Sequence, residues 1–215
     1  MAVELYDEHE QGERVRRWIK EYSSAIIVAL ILAFGGIFGF RQWQDYRAEQ
    51  QLMGSDYYQV VRQQVADGNL ESAASEYQAM QDAVGETAYT GLAGMHLAAA
   101  WIEAGRLSPA ADVYRGILDN GRLESLWPVA KLRLARVLEA QGQYEEALGL
   151  LEESAPEGFE ATWAEARGDL LFERGRVAEA RSAWEEALSQ RTADGGNPGL
   201  LQIKIDAATT DGDAS

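Results

Sequence analysis

The 215-residue chain contains no cysteine. That excludes disulfide staples, thiolate metal sites, a cysteine nucleophile and a lipid anchor attached through cysteine. Proline is scarce, with four in the chain, while 47% of residues are hydrophobic, a composition that suits packed helices rather than a disordered segment. Positive charge is also short: 19 Lys and Arg stand against 35 Asp and Glu, for a net charge of −16. Nucleic acid and anionic lipid surfaces both require positive potential, so neither is an expected partner for the bulk of the chain. There are two histidines, His9 and His96, far apart in sequence and without carboxylates at metal-ligand spacing. The glycine clusters do not read as phosphate loops either, because GGIFG lies in an apolar run and DGGN has no lysine after it. The acidic pairs Glu145/Glu146, Glu152/Glu153 and Glu185/Glu186 fall on amphipathic segments and read as solvated faces. The chain is therefore expected to be no enzyme and to hold no metal or cofactor.

Charge is missing altogether from residues 23–40, SSAIIVALILAFGGIFGF. At ~1.5 Å per residue a helix of this length reaches about 27 Å, close to the ~30 Å of bilayer hydrocarbon. Trp18 and Tyr22 precede the run and Trp43 and Tyr46 follow it, as rings that favour headgroup depth. A cleaved signal peptide would have a shorter apolar region and a small-residue cleavage site, whereas this one runs into Phe40-Arg41-Gln42-Trp43. A soluble core helix would interrupt the run with polar residues at helical spacing. The segment is expected to be an uncleaved transmembrane anchor, bound to membrane lipid by this single span. Arg14, Arg16, Arg17 and Lys20 lie before it, and only Arg41 and Arg47 in the twenty positions after it. The positive-inside rule places the N-terminus in the cytoplasm and the larger part outside. Four basic and six acidic residues precede position 41, so the larger part carries a net charge of about −14. Gly35 and Gly39 form a G-x-x-x-G on which a second membrane helix can pack.

Ahead of the span, Val15, Trp18, Ile19 and Tyr22 recur at helical spacing, which predicts a small amphipathic helix on the membrane surface within a tail of residues 1–22. Beyond it, one pattern recurs four times: Gly68 to Ala73, Gly105 to Ala110, Gly142 to Ala147 and Gly175 to Ala180. A large apolar residue follows each alanine by four positions, namely Tyr77, Tyr114, Leu151 and Trp184, and Val61, Ala98, Ala135 or Gly168 precedes each glycine by seven. This is a helix, turn, helix unit: the glycine ends the first helix and the alanine marks a close approach of two helices. The fold class that follows is all-α, a single N-terminal transmembrane helix leading into a tetratricopeptide-like helical solenoid over residues 41–206. Extra residues fit loops around Val84 to Thr87 and Gly121 to Trp127, and the first helix of the first unit reads as an extension of the membrane helix. Residues 192–197 read as a turn, Asn197-Pro198 as a helix start, Leu200 to Ile205 as a short capping helix and residues 207–215 as a disordered tail.

In such arrays the first helix of each unit lines the concave surface. The register puts Leu92, Met95, Ala99 and Ile102 beside Leu132 and Arg136, an apolar strip with one cation that is the expected partner-binding site. The alternative is that the C-terminal or membrane-proximal helix folds over it.

Several stretches around the anchor and repeats carry a family resemblance. They are Tyr6 to Gln11 with Val15 to Trp18, Gly39 to Trp43, Leu132 to Val137, Arg167-Gly168-Asp169, Gly175 and Ala180 to Trp184. In their order around one anchor, the chain resembles the YfgM-type ancillary subunits of the SecYEG translocon over nearly its full length. The resemblance implies an inner-membrane protein with a periplasmic domain, associated with the SecYEG translocon and with a membrane-anchored periplasmic chaperone of the parvulin-domain type, PpiD. Two other roles stay open: a scaffold whose cytoplasmic tail regulates an envelope stress or signalling pathway, and a repeat protein of envelope or division machinery.

Overall fold

The computed structural model describes residues 4–193 and 199–212, and every regular element among the described residues is helical. In chain order they are α1 (Glu4–Ala66), α2 (Leu70–Val84), α3 (Ala88–Glu103), α4 (Leu107–Leu118), a 3-10 turn (Gly121–Leu126), α5 (Trp127–Ala140), α6 (Tyr144–Glu152), α7 (Glu160–Glu173), α8 (Val177–Ala193) and α9 (Gly199–Gly212). The chain divides into two compact units, Met1–Leu52 and Met53–Ser215, and α1 begins in the first and ends in the second.

In the first unit the apolar run is helical throughout, with a mean hydropathy of 2.3 over an 18-residue window and none of that window buried. Leu32 is 71% and Phe38 72% exposed, a surface that water would disfavour and hydrocarbon would not. By length and composition it is able to cross a membrane. Among the described residues nothing covers it, unlike the core helix of a soluble protein. Aromatic contacts flank it: Trp18 and Tyr22 have ring centroids 5.6 Å apart, Phe40 and Trp43 are 5.8 Å apart, and the Arg47 guanidinium sits 4.1 Å from the Trp43 ring centre. The amphipathic segment expected before the span is helical and continuous with it. The helix starts at Glu4 and continues through residue 22 unbroken, since no proline or glycine pair interrupts its hydrogen-bond ladder there.

In the second unit the four repeat glycines each sit in the same turn. Gly68, Gly105, Gly142 and Gly175 have φ of 76°, 73°, 76° and 71°, a region costly for any residue with a Cβ. Each glycine N–H donates to the carbonyl three residues back, and the next N–H to the carbonyl five residues back, as in Arg106 to Trp101 at 2.7 Å and Gln143 to Leu138 at 2.8 Å. These paired bonds satisfy carbonyls that the helix end would leave orphaned. The alanines five positions later, Ala73, Ala110, Ala147 and Ala180, are buried, as are Tyr114, Leu151 and Trp184 after them, whereas Tyr77 is only partly covered. Gly168 of α7 lies against the Trp184 ring of α8, so close that a Cβ there would stand 2.5 Å from the indole.

The inserted segments have their own locks. Thr87 and Thr90 form a capping box at the start of α3, and the buried Thr90 hydroxyl donates to the Gly85 carbonyl at 2.7 Å. The 3-10 turn presses Leu123 and Leu126 onto Gly91, and Trp127 Nε1 donates to the Ile117 carbonyl at 3.0 Å. One core cluster runs from Ala73 on α2 to Leu170 on α7; a second joins α7, α8 and α9 through Leu171, Trp184, Leu201 and Ile205. A third sets Val61 of α1 against Met80 and Ala93, so the end of α1 serves as the first helix of the first repeat.

At the far end, the expected turn and the Asn197-Pro198 helix start fall mainly outside the described residues, α8 being helical to Ala193. The final helix continues to Gly212, past Ala207 where the sequence reading begins a disordered tail, and Ala208 is buried. Residues 213–215 of that tail lie outside the described residues. Lys204 of α9 pins it to α7, donating to Asp169 at 2.6 Å and Glu165 at 3.0 Å, while Arg191 of α8 reaches Glu165 at 2.7 Å.

Candidate partner-docking groove

A groove of about 310 Å³ opens between α3, α4 and α5, lined by Ala99, Ile102 and Glu103, by Leu107 and Tyr114, and by Arg133, Arg136, Val137 and Ala140. Its position follows from the repeat register. Helical spacing puts Ala99 and Ile102 on one face of α3, Arg133, Arg136 and Ala140 on the adjoining face of α5, and the turn at Gly105 brings Leu107 and Tyr114 up beneath them.

Three of the six residues expected from the sequence, Ala99, Ile102 and Arg136, meet in this groove. Leu92 is exposed, at 43%, but lies outside it. Met95 and Leu132 are core residues, 7% and 9% exposed, because neighbouring repeat helices cover that side of α3 and α5. The end of α1 contributes to this core through Val65, while α9 packs with α7 and α8. A continuous apolar strip is therefore absent; the accessible surface is a shorter groove with more charge. The membrane glycines face open space, with nothing within 4 Å of a Cβ built at Gly35, Gly36 or Gly39.

Six groove residues lie outside the expected set, and two of them, Tyr114 and Arg133, bring hydrogen-bond donors. Tyr114 fits the packing pattern, its ring being fully buried, and its hydroxyl is a buried polar atom beside the Arg133 guanidinium. Burial raises its pKa above that of an ordinary tyrosine, and the neighbouring Arg133 guanidinium offsets part of that rise. The second is Arg133. Most cations of this unit pair with carboxylates, as Arg106 does with Glu71 at 2.6 Å, Arg115 with Glu146 at 2.9 Å and Arg181 with Glu185 at 2.9 Å. Arg133 and Arg136 form none of the ion pairs found among the described residues. A signal for Arg133 was available in the sequence, since no carboxylate stands three or four residues from it, whereas Arg136 has Glu139 three residues on.

The family model described as a tetratricopeptide repeat-like domain matches residues 16–210, from before the apolar run to within the last turn of α9. Among curated proteins, the ancillary SecYEG translocon subunit of Escherichia coli (strain K12) is 31% identical over 207 residues, covering 94% of this chain and 98% of that protein. The chain belongs to this family. The ancillary SecYEG translocon subunit of Haemophilus influenzae is 32% identical over 187 residues, covering 87% of this chain and 91% of its own length. At 94% of this chain, the alignment with the Escherichia coli protein takes in the apolar helix and the repeats together. Among solved structures, a variant of the putative kinesin light chain TPR-like repeats from Podosopora anserina superposes with a TM-score of 0.52, at 16% identity over 73% of this chain and 84% of that one. The MamA RS-1 ArsTM double mutant gives 0.50, at 16% identity over 76% and 98%. At that identity the likeness concerns the fold, which is the repeat architecture of the second unit.

Proposed function

We propose that this protein is a non-enzymatic, single-span inner-membrane subunit of the SecYEG translocon, its N-terminus cytoplasmic and its repeat domain periplasmic. The observation that carries the reading is the alignment, over 94% of this chain, with a protein named ancillary SecYEG translocon subunit, which takes in the apolar helix and the repeats alike. The uncovered apolar helix, with its open Gly35/Gly39 face, supplies a surface for a helix of the channel. The repeat domain carries the docking groove, and its partner is a membrane-anchored periplasmic chaperone of the PpiD type, so that the subunit couples emerging exported proteins to that chaperone. Tetratricopeptide-like arrays bind through such surfaces without altering covalent bonds.

Purification from membranes in mild detergent tests this. The full chain should co-purify with the channel proteins and with the chaperone, and a reporter active only outside the cytoplasm should work after Ser215 and fail near Gly12. Recovery of neither partner, or an inverted reporter pattern, would refute it. Deleting residues 1–11 should leave the association intact; a stress response altered by that deletion would favour the regulatory scaffold.

A further inference from the structure

We infer that a second cavity, between α2 and α4 and beside α3, takes an arginine side chain from an extended basic segment of a partner protein. This cavity shares no residue with the groove described above, so the inference goes beyond the translocon reading and stands apart from it. It measures about 310 Å³, at the lower end of the range for ligand sites. Two carboxylates line it, Glu86 and Asp112, and no lysine or arginine does. Among the described residues Glu86 enters no ion pair; its carboxylate accepts from the neutral Gln81 amide at 3.2 Å. Asp112 is approached by Arg115 at 3.4 Å, but that guanidinium is bound more closely to Glu146, at 2.9 Å. The other walls are apolar or aromatic, from Pro109, Val113 and Ile117 of α4 and the rings of Tyr77 and Trp101. Trp101 is 7% exposed, and its buried Nε1 has no hydrogen-bond partner among the described residues, although buried indole N–H groups usually find one. Arg106 stands 5.8 Å from the Trp101 ring centre, but it is paired with Glu71 and does not line the cavity.

An arginine answers both halves of this lining. Its methylene stem covers apolar wall, and its planar guanidinium lies against aromatic rings and forks to carboxylates, which the point charge of a lysine cannot do. A carbonyl of the incoming backbone would supply the acceptor that Trp101 Nε1 lacks. The acidic wall is in place before any ligand arrives, because Glu86 belongs to the insertion after α2, which is locked at both ends. Gly85 turns the chain at φ of 62°, the Thr90 hydroxyl donates to the Gly85 carbonyl at 2.7 Å, and Thr87 caps α3. Tyr77 registers the uncompensated charge: burial first, then Glu86, pushes its pKa up to about 12. The excess of acidic residues over basic ones in the chain draws basic segments towards it, and the cavity selects the side chain.

The test uses the full-length protein in detergent and three fluorescein-labelled, amidated peptides of the form Gly-Ser-Ala-X-Ala-Ser-Gly, with X arginine, lysine or citrulline, the neutral isostere of arginine. The arginine peptide should bind saturably, and the citrulline peptide at least about tenfold more weakly, the scale of one lost charge-assisted interaction. The lysine peptide should fall between them. Glu86→Gln with Asp112→Asn should remove the difference between arginine and citrulline. Glu124→Gln with Glu157→Gln, which takes the same two charges from positions outside the cavity, should leave it unchanged. Equal binding of the arginine and citrulline peptides, or no saturable binding, overturns the inference. So does a lysine peptide that matches arginine, an equal effect of the two double variants, or guanidinium chloride that competes at the concentration of the peptide itself. The peptide comparison needs no variant, so a misfolded mutant cannot blunt it. A wild-type chain that co-purifies with the channel yet does not discriminate arginine from citrulline refutes this inference alone, and one that discriminates without co-purifying refutes the translocon reading alone.

Discussion

Replacing Gly168 by alanine sets two known effects against each other. In a helix interior such as α7, alanine is favoured over glycine by roughly 0.5–1 kcal/mol through backbone entropy. At Gly168 the new Cβ would lie 2.5 Å from both Cδ1 and Nε1 of Trp184 and 3.0 Å from its Cγ. The indole cannot yield easily: it is 3% exposed, its Nε1 donates to Asp169 at 2.9 Å, and Phe172 packs beside it with centroids 5.4 Å apart. Relief requires α7 and α8 to separate or the ring to leave its place, a strain of ~1–3 kcal/mol, with the bond to the Asp169 carboxylate, worth ~1.5–3 kcal/mol, also at risk. The expected net loss is about 2 kcal/mol, which in a domain of this size lowers Tm by ~4–8 °C. Gly149→Ala in α6 is the matched control, since nothing lies within 4 Å of its Cβ, and it should gain about 0.5–1 kcal/mol. Thermal unfolding of the full chain, followed by near-ultraviolet circular dichroism, compares the two. A Gly168→Ala protein as stable as its parent, or two variants shifted in the same direction, would refute the packing argument.

Ala180→Leu should cost about 1–3 kcal/mol, because Ala180 has no exposed surface, while Glu146→Ala should cost no more than about 0.5–1 kcal/mol for its half-exposed pair with Arg115. Equal effects in the same melt would overturn the repeat register. Gly142→Ala, at φ of 76° with open space around it, should lose ~1–2 kcal/mol through backbone strain alone, and a neutral melt would show that the turn relaxes. Docking of α9 should respond to pH at both extremes. Burial opposes ionisation of Glu165, yet Lys204 and Arg191 overcome it and hold its pKa below 4.5, so its contribution, present above that value, is lost as pH falls through the lowered pKa. Burial likewise opposes charge on Lys204, but Asp169 and Glu165 raise its pKa above 10.5, and that contribution is lost only as pH rises through the raised value. Protection of α9 against hydrogen exchange, relative to the intrinsic rate at each pH, should therefore be greatest between these limits, and Lys204→Met should abolish the dependence at the alkaline end; an unchanged profile in that variant would assign the anchoring elsewhere.

The turns of this fold were legible because their requirement is local. Gly68, Gly105, Gly142 and Gly175 occupy a backbone region that their neighbours cannot, and the buried alanines lie at a fixed distance along the next helix. Accessibility was less legible, because it depends on residues far away in sequence. Helical spacing places Met95 and Ile102 on one face of α3, but only the packed neighbours decide that Met95 is covered and Ile102 is open. Tyr114 shows the same limit within one side chain: its ring obeys the repeat pattern, and the burial of its hydroxyl beside Arg133 is not encoded in that pattern.

Nearly every packed pair of helices in the second unit is consecutive in the chain, α2 with α3, α3 with α4 and onward to α8 with α9, α5 with α7 being a longer step. Low contact order of this kind favours rapid folding, because no early segment must wait for a distant partner. For a protein made from its N-terminus, each new hairpin finds its binding surface already present on the one before. The apolar face left by one repeat is covered by the next within about forty residues of synthesis. The domain can thus assemble vectorially, in the order in which its sequence emerges, and with no cysteine to oxidise it reaches its native state without a disulfide-forming step.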